Sequence, residues 1–211
     1  MREAESMFHP LVARSIRAFS EACPKVSLTL EESLSNELLD GLRNERMDVA
    51  FIRTEPADAE GLAIQPLLDE AMVVALPAGH PLAKGAKDGP IPLRRLAPQI
   101  FILYGPPGTG MYDTIIAACH AAGFNPHVGN LGASAQQAPR IGSTLSLVAA
   151  GLGITFVPSS LQRMNIGGVA YRRVKASTPP TAKLSLATRR GDPSATVKQF
   201  VTLVRNAARG A

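Results

Sequence analysis

The chain has no tryptophan, and aromatic residues make up only 5% of its 211 positions. That scarcity matters beside a formal charge of +5. The basic residues come as short scattered pairs (Arg94-Arg95, Arg172-Arg173, Arg189-Arg190), never as a run interleaved with aromatics. A weakly basic surface follows from this, and a face that reads nucleic acid does not. Cys23 and Cys119 are the only cysteines, too few for a disulfide framework. Each falls in an apolar helical stretch, which predicts buried free thiols in a reducing compartment. No stretch reaches the roughly eighteen consecutive apolar residues that a membrane span needs. The opening residues, MREAESMFHP, hold no apolar core for a secretion signal. The expected setting is cytoplasmic, with no membrane partner.

What is present is a packable core, with 45% hydrophobic and 18% charged residues. Helix-period and strand-like segments alternate, which predicts an α/β fold with largely parallel sheets. Pro10 lies inside the first amphipathic run, and only a first turn tolerates its missing amide, so this helix starts no earlier than about Met7. Leu11, Val12, Ile16, Phe19 and Cys23 then share one face, and Pro24 ends it. VSLTLEE places Val26, Leu28 and Leu30 on one side of a strand. Ser35 is the expected N-cap of NELLDGLRN, with Leu34 and Leu39 at hydrophobic-staple spacing. DVAFIR (48–53) reads as a short strand buried on both faces. AMVVALP, QIFILY, ITFVP and AKLSLATRR are further strands. DTIIAACHAAG and STLSLVAAG are helices closed by Gly123 and Gly151. The last helix, SATVKQFVTLVRNAA, turns Val197, Phe200, Val201 and Val204 inward.

YGPPGTGMYD (104–113) begins like an NTPase phosphate loop, with a strand before it and a helix after it. A nucleotide loop continues with Lys and then Ser or Thr, and here Met111 and Tyr112 follow. The charge for the terminal phosphates and the hydroxyl for magnesium are both missing, which excludes ATP hydrolysis. Two readings stay open: a Gly/Pro turn needed for geometry, or an anion site built from backbone amides at a helix N-terminus. Gly151 and Gly153 lack the order and spacing of a dinucleotide fingerprint; they suit a helix C-cap and a tight turn. His9, His80, His120 and His127 have no metal-ligand spacing, and His80 in GHPL reads as a solvated loop residue. Ser159-Ser160 lacks the G-x-S-x-G elbow, and Glu31-Glu32 reads as a charged strand-to-helix turn. No catalytic residue, metal or cofactor is nominated. What remains is a set of polar groups where strands end and helices begin: Ser6, Ser35, Arg53, the loop 104–110, and Ser143-Thr144. In open α/β sheets such places bind ligands, and these groups suit a carboxylate.

From about Met7 to its end the chain resembles the effector-binding domain of LysR-type transcriptional regulators. The residues that carry the likeness are, in order, HPLVARSIRAFSEACPKVSLTLEE, LLDGLRNERMDVAFIR, LPAGHPLA, LSLVAAGLGITFVPSS and LATRRGDPS. The resemblance implies two Rossmann-like subdomains joined by two crossover strands, similar to type 2 periplasmic binding proteins. Subdomain I would take residues 1–75 and 184–211, and subdomain II residues 76–183. It further implies a small carboxylated effector, of the aromatic or dicarboxylic kind that relatives often bind, held in the cleft between them by Ser6, Ser35, Arg53, Gly105, Thr109 and Thr144. Arg53 would be the cationic partner, and Phe8, Tyr104 and Phe156 would supply apolar walls. Side-by-side homodimers or homotetramers are implied as well. DNA would be met only through a winged helix-turn-helix that this chain lacks. MREAES stands where the family's central first strand begins and matches it poorly. A free solute-binding protein, or an enzyme on the same scaffold, is the alternative that fold alone leaves open.

Overall fold

The computed structural model describes the backbone of residues 2–3 together with residues 9–53, 59–84, 89–103, 107, 110–129 and 141–209. The chain divides into two compact units, residues 1–69 with 183–211 and residues 70–182. It passes from one to the other twice, once within the long strand β4 (Leu62–Pro77) and once within β10 (Thr181–Arg189).

The first unit is a sheet covered on both faces. Strand β1 (Arg2–Glu3) lies between β2 (Glu31–Glu32) and β3 (Val49–Ile52) and is parallel to both. β10 closes the other side of β3 in antiparallel register, with Leu186 opposite Phe51. All four residues of β3 are buried, as a strand covered on both sides must be. Its alternation sorts them: Val49 and Phe51 join the cluster of α1 (Pro10–Ala22) and α6 (Ala195–Arg209), while Ala50 and Ile52 join that of α2 (Ser35–Arg43). Phe200 of α6 ties three elements together. Its ring meets Phe19 of α1 edge-on at 5.1 Å and Phe51 of β3 at 6.2 Å. Arg189, at the end of β10, donates to the Met47 carbonyl and pairs with Asp48 at 3.0 Å and Asp192 at 2.8 Å.

Two expectations for this unit need correction. Helix α1 begins at Pro10, within the limit the proline set, and His9 caps it by accepting from the Leu11 amide at 3.2 Å. The helix stops at Ala22, so Cys23 sits at its end partly exposed and not buried. The strand expected over VSLTLEE is limited to Glu31–Glu32, and Val26 and Leu30 are 38% and 41% exposed. A strand exists only where a neighbour hydrogen-bonds it, and β1 stands beside Glu31 and Glu32 alone.

The second unit is centred on β4, flanked in antiparallel register by β8 (Thr155–Pro158) and β9 (Val169–Lys175). β5 (Ile91–Pro92) continues this sheet parallel to β9, and β6 (Ile100–Phe101) pairs parallel with β7 (His127–Val128). Parallel and antiparallel pairs are therefore mixed, where largely parallel sheets were expected, because the two longest strands run against their neighbours. Met72, Val74 and Leu76 pack with Phe101, Phe156 and helix α4 (Gly110–Ala121). Val73 and Ala75 face the opposite way, toward Leu145 and Val148 of α5 (Ile141–Ala149). Gly151 adopts φ 81° after α5, the left-handed cap expected of it. Gly153 has a different reason from the tight turn predicted: a Cβ there would lie 2.7 Å from the Ile100 carbonyl oxygen.

Candidate functional site

Ser35 and Arg53 are brought together although 18 positions separate them in sequence. β3 ends at Ile52 and delivers Arg53 directly after it, while Ser35 opens α2, which packs Leu38 and Leu42 beneath β3. The Arg53 backbone amide donates to the Ser35 hydroxyl at 3.3 Å. This revises the cap predicted for Ser35. The helix starts at Ser35 itself, with Leu34 in the cap position, and the Glu37 carboxylate accepts from the Leu34 amide at 3.3 Å. Leucine has no oxygen with which to complete a reciprocal box, so only that half exists. The serine hydroxyl is instead used across to the strand end, which fixes the start of α2 against the end of β3.

The Arg53 side chain is 3% exposed and Arg172 is 8% exposed. Their surroundings separate a structural arginine from a candidate site arginine. Arg172 donates to the Leu82 carbonyl at 2.8 Å and the Gly89 carbonyl at 2.7 Å, a fork that fastens the short helix α3 (Pro81–Lys84) and the chain at Gly89 to β9. Arg53 stands at the carboxyl end of a parallel-paired strand, beside the first turn of a helix, where α/β folds present cations and amides to anions.

In the second unit Thr144 lies in the first turn of α5 with no exposed surface, between Ile141 and Leu145 in the buried row of that helix. Ser143 beside it is exposed. Phe156 is 1% exposed in β8, its ring stacked 6.3 Å from Phe101 within the enclosed core. Ser6, Phe8, Tyr104, Gly105 and Thr109 lie outside the described residues. Of their loop, Pro107 forms an exposed turn, and Gly110 begins α4.

Several polar residues gained roles that the sequence did not advertise. Glu70 is 6% exposed in β4 and accepts from the Ser159 hydroxyl at 3.1 Å and from the Ser160 backbone amide. Ser159-Ser160 is thus an anchor for a buried carboxylate, formed across 89 positions of sequence with no local signal. His80, read as a solvated loop residue, accepts from the Leu82 amide at 3.1 Å and lies 3.0 Å from the Gln99 side-chain oxygen. Accepting at Nδ1 places the ring proton on Nε2, where it donates to Gln99. His9 did have a readable signal, since a polar residue directly before proline is a helix-start signature. Burial pushes the Cys119 thiol up to about 11, and it also raises Tyr171. Among the described residues no group of three or more His, Cys, Asp or Glu could hold a metal ion. Among them, too, no helix is long and apolar enough to cross a membrane.

Comparison with known proteins places these features in one family. The model of the LysR substrate binding domain matches residues 4–209. The transcriptional regulator CatR of Pseudomonas putida is 30% identical over 200 residues, covering 94% of this chain and 64% of that protein. BudR of Raoultella terrigena is 25% identical over 201 residues, covering 95% of this chain and 66% of that protein. The chain therefore spans about two thirds of the length of these relatives. Among solved structures, the BenM effector binding domain with its effector benzoate aligns with a TM-score of 0.80 at 22% identity, covering 99% of this chain and 90% of that one. The effector binding domain of QuiR in complex with shikimate aligns at 0.81 and 18% identity, covering 99% and 95%. With nearly its whole length matched, and with the type 2 periplasmic-binding-protein-like fold of these neighbours, the chain belongs to the LysR substrate binding domain family.

Proposed function

We propose that this chain is the ligand-sensing part of a cytoplasmic transcription regulator and that its effector is a small carboxylate recognised through Arg53. The observation that carries the reading is the buried guanidinium at the end of β3, its backbone amide tied to Ser35 at 3.3 Å. A charged donor held in low dielectric and beside the opening turn of α2 favours an anion. Benzoate and shikimate, the ligands of the BenM and QuiR domains, are both carboxylates, which supports the same class here. Ser6, Gly105, Thr109 and Thr144 remain the proposed polar contacts, with Phe8, Tyr104 and Phe156 as the proposed apolar ones. Effector binding would act by favouring one of two pre-existing arrangements of a homodimer or homotetramer, and DNA would respond through a helix-turn-helix domain. No cofactor takes part.

The test is a thermal-shift and calorimetric screen against benzoate, shikimate and aliphatic dicarboxylates. At least one acid should raise the melting temperature. Arg53→Met should weaken that acid's binding by about 10- to 100-fold, the loss of one charge-assisted hydrogen bond worth roughly 1.5–3 kcal/mol. Stabilisation by no acid in the panel, or unchanged affinity in Arg53→Met, refutes the carboxylate reading.

A further inference from the structure

Charge is divided unevenly between the two units. Residues 70–182 hold nine Lys and Arg against three Asp and Glu, a net +6. The remaining residues hold thirteen against fourteen, a net −1. The excess positive charge of the chain therefore lies in the second unit, and five of its exposed basic residues gather along one edge. β5 is the outermost strand there, beside β9, with Ile91 opposite Val174 and Pro92 opposite Lys175. The 3-10 turn Leu93–Leu96 follows β5 directly; Leu93 and Leu96 are buried, and Arg94 and Arg95 between them are exposed. On β9, Arg172 and Val174 turn inward. Arg173 and Lys175 therefore project from the other face, both exposed and about 6.6–7 Å apart along the strand. The Arg172 bond to the Leu82 carbonyl holds α3 against β9 and brings the exposed Lys84 to the same edge. Residues 81–84, 89–96 and 169–177 contain no Asp or Glu. Among the described residues, none of the five side chains pairs with a carboxylate.

We propose that this edge is a docking surface for an acidic, extended segment of another protein, held by pairs between its carboxylates and the cations at 84, 94, 95, 173 and 175. The charges exceed what protecting a sheet edge requires. Charge of either sign blunts an edge, and Pro90 and Pro92 already withhold their amides from any added strand. Five cations with no acid among them repel one another, which costs the fold and is repaid only by an anion. With main-chain pairing blocked by the prolines, recognition falls to side chains. Carboxylates on alternate residues of an extended segment recur at about 6.6–7 Å, the spacing of Arg173 and Lys175. Arg94 and Arg95 add planar forks that suit carboxylates in bidentate pairs. The exposed residues of the edge include no aromatic ring on which a single-stranded nucleic acid would stack. This inference does not depend on the effector reading.

Fluorescence anisotropy of a labelled Glu-Ser repeat peptide of about twelve residues, titrated with the chain at low salt, tests it. The peptide should bind saturably, and a Gln-Ser peptide of the same length should not. The double reversals Arg94→Glu with Arg95→Glu, and Arg173→Glu with Lys175→Glu, should each weaken binding at least about tenfold. Lys198→Glu with Arg205→Glu, on the exposed face of α6 in the first unit, lowers the net charge equally and should change binding less than about twofold. The glutamine versions of the edge pairs, which add no repulsion, should lose about threefold and serve where a reversal fails to fold. No saturable binding of the Glu-Ser peptide overturns the proposal. So does an equal loss from the α6 pair, which would show that net charge alone attracts the peptide. Random-sequence duplex DNA or phosphatidylglycerol vesicles bound more tightly than the peptide, with the loss mapping to the same four residues, would assign the edge to phosphates and overturn it as well.

Discussion

Removing the Glu70 carboxylate gives the sharpest quantitative test of the second unit. One carboxylate oxygen accepts two hydrogen bonds from the turn that follows β8, one from the Ser159 hydroxyl at 3.1 Å and one from the Ser160 amide. Glu70 is 6% exposed, so water replaces these bonds poorly. Hydrogen bonds to a charged acceptor contribute about 1.5–3 kcal/mol each, and an orphaned buried amide costs about 1–3 kcal/mol. Relief of the carboxylate's own desolvation offsets part of that sum. Glu70→Ala should therefore destabilise by about 2–4 kcal/mol, or about 5–12 °C in melting temperature for a chain of this size. Glu70→Gln keeps an oxygen in place and loses only the charge assistance, which is roughly half of each bond, so it should cost about 1–2 kcal/mol. Urea unfolding of both variants, with Ser159→Ala and the double mutant to complete the cycle, reads these differences and a Glu70–Ser159 coupling of about 1 kcal/mol. A Glu70→Ala loss below about 1 kcal/mol would refute the anchoring role. A Glu70→Gln loss as large as that of Glu70→Ala would show that the charge acts on something other than this turn.

Phe200→Ala strips the ring that meets both Phe19 and Phe51 and should cost about 3–5 kcal/mol in urea unfolding, most of it recovered by Phe200→Leu apart from the ring–ring contribution. Arg172→Lys loses the fork between the Leu82 and Gly89 carbonyls; hydrogen exchange in Pro81–Lys84 should accelerate at least about tenfold, and unchanged exchange would refute the clamp. Alkylation at pH 8 should label Cys23, which is partly exposed, and spare the buried Cys119. With its thiol raised from 9.0 to about 11 in the fold, the titration of Cys119 leaves stability unchanged well below pH 9, where both states keep the proton. Between pH 9 and 11 the unfolded chain loses that proton first, so stability falls with rising pH, and Cys119→Ala should flatten this loss.

Much of the secondary structure was legible in the chain because it follows from local chemistry. The 3.6-residue spacing of Leu11, Val12 and Phe19 marks α1, and Val197, Phe200 and Val204 mark α6 in the same way. DVAF, with no polar residue after Asp48, reads as a strand covered on both faces, and β3 is buried throughout. Glycines 123 and 151 close helices with positive φ for reasons a single residue carries. Ser35 and Arg53 were visible as polar residues at a helix start and a strand end. Their hydrogen bond was not visible, because a helix-opening serine is by local rules a cap.

The remainder depended on partners far away in sequence. VSLTLEE has the alternation of a strand, yet only Glu31–Glu32 is one, because strand structure needs a neighbour and β1 supplies it at two positions. Gly153 is small because the backbone of Ile100 passes it, and the adjacent residues give no hint of that. Glu70 and Arg172 look like ordinary strand charges until Ser159 and Gly89, more than eighty positions away, are brought to them. Local propensity and hydrophobic period thus determined which segments are helices and which can be strands. Pairing, burial and the long-range hydrogen bonds were decided only in the tertiary structure, because each needs a second surface that no stretch of sequence contains by itself.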